Sequence, residues 1–328
     1  MRHVKSLFII ILIFTFILIR CSAITQYTSS QLAKAPEFEP YNGLKTRIAV
    51  LDFENYSGRG GAKLGSAVAD RLISLLLKSD RFVIIERQRI DEIFQEQALG
   101  QSGAITEETA PQVGELLGVE AIILGDVLEV MEETGSHSFS NKDDDDDNDK
   151  WSFALKATVG HVKFSYRMVD VNTGEIIAAD DVTATEIRPG FGIETKDFDF
   201  TDMFEFDQTI IGNATRKAIN KIALSIVENC GQIEWTGKVI RVKDDTHIYF
   251  TPGVSTGIKI GDRFRIFGVK IIDSDGIELE ELFEKGSVEV ISFIGQSVAK
   301  AIILDGEQFE VGDKVKFIKL NDTVEEEL

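Results

Sequence analysis

Glycines separate an apolar run from a helical stretch early in the chain, an arrangement found in phosphate-binding loops. The segment Gly58–Lys63 (GRGGAK) would let backbone N–H groups face an anion at a helix N-terminus. The spacing argues against a nucleotide site, because a P-loop has Gly-Lys followed by Ser or Thr, whereas Ala62 precedes Lys63 and Leu64 follows it. Lys63 also stands where the third glycine of the dinucleotide pattern belongs. We therefore predict a plain turn and no nucleotide cofactor.

An acidic run from Asp143 to Asp147 resembles half of a calcium loop. It lacks the glycine at the sixth position and the bidentate glutamate at the twelfth, where Asn148 and Ala154 stand. The run therefore does not predict an EF-hand. We interpret residues 143–149 as a solvated tip whose charge discourages wrong strand pairing.

Histidines offer no further site chemistry. His3, His137, His161 and His247 are scattered, and none stands with cysteine or carboxylate at ligand spacing. His137 and His161 flank the acidic run and would become strand neighbours in a hairpin, but two ligands do not make a metal centre. No nucleophile elbow, triad-like set or His-Glu-x-x-His pattern is present. We predict no catalytic residues, no metal and no cofactor, so the protein is not expected to be an enzyme.

The elements around the glycine turn form a strand, helix, strand unit of an α/β layer. Apolar runs at Ile48–Phe53 and Phe82–Ile85 predict the two strands. The helix between them is amphipathic, with its polar side at Lys63, Asp70, Arg71 and Lys78 expected in water. Its buried stripe recurs at spacings of three and four: Leu64, Val68, Leu72, Leu75 and Leu76.

Further elements extend this layer to about residue 231. We predict helices at Arg87–Gln97 and Glu107–Leu117, a buried strand at Glu120–Val127, and a helix from Gln208 to Glu228. Two strands, Val162–Val171 and Glu175–Thr185, are joined by Asn172-Thr173-Gly174, which indicates a tight hairpin. The expected fold class is α/β, a mixed sheet covered by helices.

The pattern of apolar residues and glycines changes in residues 232–320. Short alternating runs separated by glycine turns predict a small all-β barrel or sandwich without a helix. Gly261-Asp262 and Gly312-Asp313 each precede such a run, and we interpret both as turn chemistry. An acidic tail, residues 321–328, ends the sequence.

Charge and termini indicate the compartment. With 55 acidic against 35 basic residues the net charge is −20, which disfavours nucleic acid and favours basic or neutral protein partners. A basic start and a short apolar run from Leu7 to Ile19 predict an export signal over residues 1–23. Lipidation of Cys21 competes with cleavage after Ala23; we favour lipidation because Cys21 stands where the apolar run ends, although Arg20 precedes it. Residues 24–45 suit an extended tether, a disordered leader being the alternative. Cys230 then has no disulfide partner in its own chain.

Several motifs of this chain resemble those of a known family and occur in the same order: IAVLDFEN, VADRL, DRFVIIERQRIDEIFQEQALGQSG, GELLGVEAIILGDV and VDVNTGEIIAADD. Over Arg47 to Cys230, within an expected domain of residues 46–231, the chain resembles the CsgG/HfaB family of curli secretion-channel lipoproteins. The β-domain resembles, more weakly, that of the flagellar assembly protein FlgT. The resemblance implies a lipid anchor at Cys21 and a ring oligomer in which each protomer contributes two hairpins to a transmembrane barrel.

The resemblance places these hairpins at residues 127–166 and 182–206. In the first, Trp151, Phe153, Leu155 and Val159 share one face of the return strand, as a lipid-facing strand requires. The outgoing strand is charged on both faces, with Glu133 on one and Glu132 on the other. In the second, Phe198, Phe200 and Phe204 stand in an alternating pattern that continues to Phe206 and is interrupted by Asp202.

The expected function is a non-catalytic lipoprotein at the periplasmic side of the outer membrane of a Gram-negative-type bacterium. It would export or help assemble an extracellular, curli-like protein as a homo-oligomeric ring, with secreted or envelope proteins as partners. The alternative is a periplasmic scaffold of the same fold that makes no pore and supports an envelope or flagellar machine. The charged outgoing strand favours the scaffold, and the aromatic alternation favours the channel.

Overall fold

The structure, a computed structural model, describes residues 33–85, 118–140, 152–189, 203–274 and 277–318. The two helices predicted at Arg87–Gln97 and Glu107–Leu117 lie outside these ranges. Gly118, which follows the second of them, has a φ of +65°, the left-handed backbone that glycine adopts readily.

A mixed sheet covered by helices forms the first half of the molecule. Its elements are β1 Thr46–Val50, β2 Glu54–Asn55, α1 Gly61–Lys78, β3 Phe82–Ile85, β4 Ala121–Ser140, β5 Ser152–Asp170, β6 Ile176–Pro189, α2 Met203–Gln208 and α3 Ile210–Asn229. The strand order is β3-β1-β4-β5-β6, with β2 paired to β4. β1 is parallel to β3 and β4, whereas β4, β5 and β6 are antiparallel. This architecture confirms the predicted α/β class.

Both long helices cover one side of the sheet, and α1 does so with the face that the sequence predicts. All five residues of the expected α1 stripe are buried, and together with the apolar face of α3 they fill the main core. Arg71 departs from the prediction that it lies in water, because it is half-buried and paired with Asp207 of α2. α1 and α2 therefore meet through a charged contact.

The β5–β6 hairpin forms at Asn172–Gly174 as predicted. Asp170 Oδ1 accepts the backbone N–H of Asn172 at 2.6 Å and that of Thr173 at 3.3 Å, and Gly174 has a φ of +74°. Local side-chain to backbone bonds of this kind are typical of aspartate at turns. The hairpin is thus specified by adjacent residues.

The second half is a closed barrel of six strands, β7 Thr236–Asp244, β8 His247–Thr251, β9 Arg263–Ser274, β10 Ile277–Ile294, β11 Val298–Gly306 and β12 Lys314–Phe317. The strand order is β10-β11-β8-β7-β12-β9, and all pairs are antiparallel. This barrel confirms the predicted small β-domain. Both Gly-Asp pairs form turns as predicted, since Asp262 and Asp313 each accept, at 2.7 Å, a hydrogen bond from the backbone N–H three residues earlier.

A buried ion pair joins the sheet to the barrel. The Arg47 guanidinium donates to Glu120 Oε1 at 2.5 and 2.9 Å, and its Nη2 also donates to the Thr236 carbonyl at the start of β7, at 2.9 Å. The Glu120 side chain is 0% exposed, and burial raises its pKa even though Arg47 opposes the shift. One arginine thus links β1, the start of β4 and the barrel.

The segment before β1 packs on the protein from Ala33 onward. The Ala33 N–H donates to Asn213 Oδ1 at 2.7 Å, and the Asn220 amide donates to the Lys34 carbonyl at 2.7 Å, so the chain follows α3. Phe38 packs against the main core. Over its described part, the segment predicted as an extended tether is therefore docked on the domain.

Gly65 provides a test of helix packing on the sheet layer. A Cβ at Gly65 of α1 would lie 1.8 Å from the Phe53 carbonyl oxygen. We expect Gly65→Ala to lower the free energy of unfolding by about 1–3 kcal/mol, because overpacking outweighs the gain in helix propensity. Urea denaturation measures this. Gly135→Ala on β4, where a Cβ meets nothing within 4 Å, is the control, and equal stability of the two variants would contradict the packing.

Candidate functional site

A long β-hairpin is the most distinctive surface of the sheet. β4 spans 20 residues and β5 spans 19, and they pair from Ala121 opposite Asp170 to Ser140 opposite Ser152 with one bulge near Val127. β6 pairs with β5 only as far as Pro189 opposite Ala157. Beyond that pair, among the described residues, β4 and β5 continue as a two-stranded ribbon.

The part of β4, β5 and β6 next to this ribbon has two different faces. One face, here the covered face, lies under α3; Gly160 belongs to it, and an added Cβ there would lie 3.0–3.1 Å from Ile210. The other, the open face, carries no helix among the described elements. The covered face comprises Val130, Thr158, Gly160, Val162, Val182, Ala184 and Glu186, and the open face comprises Glu129, Met131, Glu133, Val159, His161, Lys163, Thr183, Thr185 and Ile187.

Polar side chains on the open face interact across the strands. His161 Nε2 lies 3.6 Å from a Glu129 carboxylate oxygen, and its Nδ1 lies 3.2 Å from Thr185 Oγ1. Lys163 pairs with Asp181 at 2.7 Å, and this hydrogen-bonded carboxylate raises the pKa of the lysine. Met131 and Ile187 are exposed between these groups. The face is therefore amphipathic rather than uniformly apolar.

The structure describes only some of the residues predicted for membrane contact. Cys21, Trp151, Phe198 and Phe200 lie outside the described residues. Phe153 and Leu155 are placed on β5 by its register, opposite Phe139 and His137. Val159 is half-buried on the open face, between Glu133 and Ile187. The strand alternation predicted at Phe204 and Phe206 differs from the structure, because both residues lie on helix α2.

His137 and His161 are not neighbours. The register places His161 opposite Met131 and His137 opposite Leu155, so the two histidines are separated along the hairpin. In the described part of the chain no three His, Cys, Asp or Glu side chains lie together as a metal site. Over the same residues, no helix is both long and apolar enough to cross a bilayer.

A charged cluster holds α2, the helix that begins at the end of the second candidate hairpin. Asp207 Oδ2 accepts hydrogen bonds from Arg71 of α1 and Arg216 of α3, each at 2.7 Å. Burial and the neighbouring Arg71 lower the pKa of Arg216. Sequence reasoning missed this cluster because its members come from three helices. The sequence predicted Arg71 in water, and only its half-buried position in the structure reveals the cluster.

Cys230 is buried at the end of α3, and its thiol donates to the Val227 carbonyl at 3.0 Å. Burial raises the pKa of this thiol, with Arg81 opposing the shift. We expect Cys230 in a Cys21→Ser background to react with maleimide at least ~10-fold more slowly than a free thiol at neutral pH. Labelling in denaturant provides the control. Fast labelling of the folded protein would contradict the buried position.

Comparison with known proteins gives a family match and weak structural similarity. The family profile described as "Curli production assembly/transport component CsgG" matches residues 25–246. No curated protein matches the chain.

Three solved structures illustrate the structural similarity. The hypothetical protein CT253 from Chlamydia trachomatis has a TM-score of 0.36 at 14% identity, covering 56% of this chain and 97% of that chain. The LpoB C-terminal domain from Escherichia coli has a TM-score of 0.30 at 14% identity, covering 43% and 82%. A PelC dodecamer from Paraburkholderia phytofirmans has a TM-score of 0.29 at 14% identity, covering 60% and 95%.

The family match covers the sheet, its helices and the first strand of the barrel. It begins before the docked segment at Ala33 and ends beyond β7, so it includes the described parts of both hairpin regions. The matched residues extend beyond both ends of the Arg47 to Cys230 range of the resemblance, and they make up more than half of the chain. The protein therefore belongs to the CsgG family of curli production assembly/transport components.

Proposed function

We propose that this CsgG-family protein is a non-catalytic envelope lipoprotein, anchored through Cys21 to the periplasmic side of the outer membrane. It acts in the export or assembly of an extracellular, curli-like protein as a homo-oligomeric ring. The family match over residues 25–246 carries this proposal. Its partners are other copies of itself, the outer membrane through the lipid, and secreted or envelope proteins.

In this proposal the two hairpin regions form the channel wall. Trp151, Phe153, Leu155 and Val159 face lipid on the return strand of the first hairpin. Its strands of 20 and 19 residues exceed the about nine to eleven residues that a membrane strand needs. Phe198 and Phe200 belong to the second hairpin, and Phe204 lies at its end, where α2 begins.

The alternative function is a periplasmic scaffold that makes no pore. Glu129 and Glu133 lie on the open face, the same side as Val159. A charge facing lipid near the midplane costs about 2–4 kcal/mol for Arg or Lys and less for Glu, which favours a strand outside the membrane. The barrel, most of which lies beyond the family match, would then bind the supported machine. The weak resemblance of this barrel to the FlgT β-domain stays a prediction.

Cell fractionation tests the anchor. We expect Cys21→Ser to move most of the protein from the outer-membrane fraction to the soluble periplasm, because a lipid chain supplies the attachment. Cys230→Ser is the control and should leave the distribution unchanged. An unchanged distribution of Cys21→Ser would contradict lipidation at this residue.

Conductance in planar bilayers then separates the channel from the scaffold. If Val159 faces lipid, the parent protein conducts and Val159→Arg reduces insertion strongly, since an arginine near the midplane costs about 2–4 kcal/mol. Val254→Arg, at an exposed site on the β-barrel domain, should conduct like the parent. Absence of conductance in the parent protein would favour the scaffold.

A further inference from the structure

Three basic side chains surround a tyrosine on the exterior of the barrel. The register pairs Arg241 of β7 with Tyr249 of β8, and Tyr249 with Lys300 of β11, so these side chains lie on three neighbouring strands. Lys238 lies on the same exterior side of β7 and is exposed. Their neighbours in sequence fill the barrel core instead: Val239, Phe250, Ala299 and Ala301. We call Lys238, Arg241, Tyr249 and Lys300 the basic row.

The basic row lacks counter-charges. In the part of the chain that the structure describes, none of its three cations makes an ion pair. Other cations of the same barrel do: Arg263 pairs with Glu289 at 3.0 Å, and Lys316 pairs with Glu234 at 2.9 Å. The whole chain has a net charge of −20. The row is therefore a positive surface on an acidic protein, and it favours an anionic group as its occupant.

The acidic tail, residues 321–328, carries the matching charge. Its charged residues are all acidic: Asp322, Glu325, Glu326 and Glu327. Blocks of like charge at the end of a domain often act as interaction segments. The carboxylates of the tail are thus complementary to the cations of the row.

The tail is long enough to reach the row. The last described residue, Ile318, follows β12, and Lys316 of β12 pairs with Thr236 at the start of β7. At about 3.3 Å per residue along a strand and about 4.8 Å between strands, Arg241 lies about 20 Å from Ile318 and Lys300 about 25 Å. The nine residues from Ile318 to Glu327 span about 30 Å when extended. A chain that turns back after Ile318 can therefore place its glutamates at the row.

Covalent attachment favours the tail over a free anion or the tail of a second copy. A segment joined to the same chain by a short linker is present at an effective concentration on the order of millimolar. Exposed ion pairs contribute only about 0–1 kcal/mol each, so weak contacts of this kind form most readily within one chain.

We propose that the acidic tail folds back on the basic row of its own barrel. Its glutamates neutralise Arg241 and Lys300, Asp322 lies toward Lys238, and the tail covers Tyr249. An anionic partner gains access to this surface only by displacing the tail. The contact lies outside the family match except at β7, and it is independent of the anchor and the ring of the proposed function.

Carbodiimide crosslinking of the native full-length protein tests the contact. The reagent joins a lysine amine to a carboxylate only where the two groups meet, and mass spectrometry identifies the joined peptides. We expect Lys238 and Lys300 joined to tail carboxylates, with a yield at least ~3-fold lower in Arg241→Glu. Lys63 on α1, an exposed lysine outside the barrel, is the control and should not join the tail. Absence of crosslinks between the tail and the row, or a tail joined mainly to other lysines, would overturn the proposal.

Lysine acetylation tests whether the tail covers the row. A tail-neutral variant carries Asp322→Asn, Glu325→Gln, Glu326→Gln and Glu327→Gln. Its Lys238 and Lys300 should be acetylated at least ~3-fold faster than in the parent, with Lys63 unchanged. The matched control replaces Asp143, Asp144, Asp145 and Asp146 of the other acidic run with Asn, which changes the net charge equally. Equal acceleration in both variants would show a general charge effect and would contradict a specific cover.

Co-expression separates a contact within one chain from a contact between copies. A tagged tail-neutral chain is produced together with the untagged parent, acetylated, and recovered through its tag under denaturing conditions. We expect its Lys238 and Lys300 to stay as reactive as in the tail-neutral variant alone. Protection of these lysines by the parent would show that the tail of another copy covers the row, and it would overturn the proposal.

Discussion

Replacing Arg47 with methionine is expected to cost about 3–5 kcal/mol of unfolding free energy, the largest effect of any substitution considered for this protein. Glu120 is completely buried, and the Arg47 guanidinium is its charged partner. Removing the arginine leaves a buried carboxylate without a counter-charge and the Thr236 carbonyl without its donor. Because Thr236 begins the barrel, we also expect the sheet and barrel to be held together less tightly. Urea denaturation measures the loss.

The double variant Arg47→Met, Glu120→Leu is the control for this prediction. Replacing a whole buried pair with apolar groups costs far less than breaking it, so the double variant should recover most of the stability. Lys45→Met, which removes the partner of the exposed Asp80, should cost less than about 1 kcal/mol. A double variant as unstable as Arg47→Met would show that packing, rather than the unpaired charge, causes the loss.

The Arg47→Met variant should also change its pH dependence. Burial raises the pKa of Glu120, and loss of Arg47 raises it further, so the folded state binds a proton more tightly than the unfolded state. Stability then falls as pH rises from the unfolded pKa through the folded one. The deficit of the variant should be smaller at about pH 5 than at about pH 8. An equal deficit at both values would contradict a charged Glu120.

Replacing Asp207 with alanine is expected to lower the free energy of unfolding by about 3 kcal/mol. One carboxylate oxygen accepts from both Arg71 and Arg216, whose side chains are 22% and 16% exposed. Without it, two neighbouring arginines repel each other with little water to screen them. Because α2 lies at the end of the second candidate hairpin, its release should also increase proteolysis near residues 203–212.

Asp181→Ala is the matched control for Asp207. Asp181 also pairs with a basic side chain, Lys163, but its side chain is 55% exposed on the sheet surface. Exposed pairs of this kind contribute about 0–1 kcal/mol. Urea denaturation and limited proteolysis of both variants provide the comparison. If Asp207→Ala unfolds at the same urea concentration as Asp181→Ala, the cluster does not hold α2.

Local patterns explain which elements could be predicted from the sequence. The α1 stripe of Leu64, Val68 and Leu72 repeats at helical spacing, so the helix and its buried face follow from neighbouring residues. The β5–β6 turn is likewise specified by Asp170 and Gly174. The barrel strands alternate between glycine turns, which indicated a small barrel or sandwich without indicating closure or the strand order.

Contacts between distant residues explain what the sequence did not predict. Arg47 and Glu120 are 73 positions apart, and Arg71 and Asp207 are 136 positions apart, so no spacing rule connects the two members of either pair. The docking of Ala33 and Lys34 on α3 depends on Asn213 and Asn220 in the same way. The expectation that His137 and His161 become strand neighbours was wrong for the same reason, because contacts along the whole hairpin set the strand register.

For the first candidate hairpin, the resemblance predicted the position better than the surface. The alternation at Val159 placed it on one face of β5, and the register adds that Glu133 lies beside it on the same face. Phe204 lies on a helix instead of a strand, because α2 begins at Met203 and its Asp207 binds two helices. Tertiary contacts at α2 thus override the alternating pattern.

Electron microscopy of the full-length protein, extracted from membranes in mild detergent, tests the central claim most directly. The proposed channel predicts rings that carry a density band as thick as the hydrocarbon core of a bilayer, about 30 Å. Monomers, or rings without such a band, would contradict a membrane-inserted channel and support the tethered periplasmic scaffold.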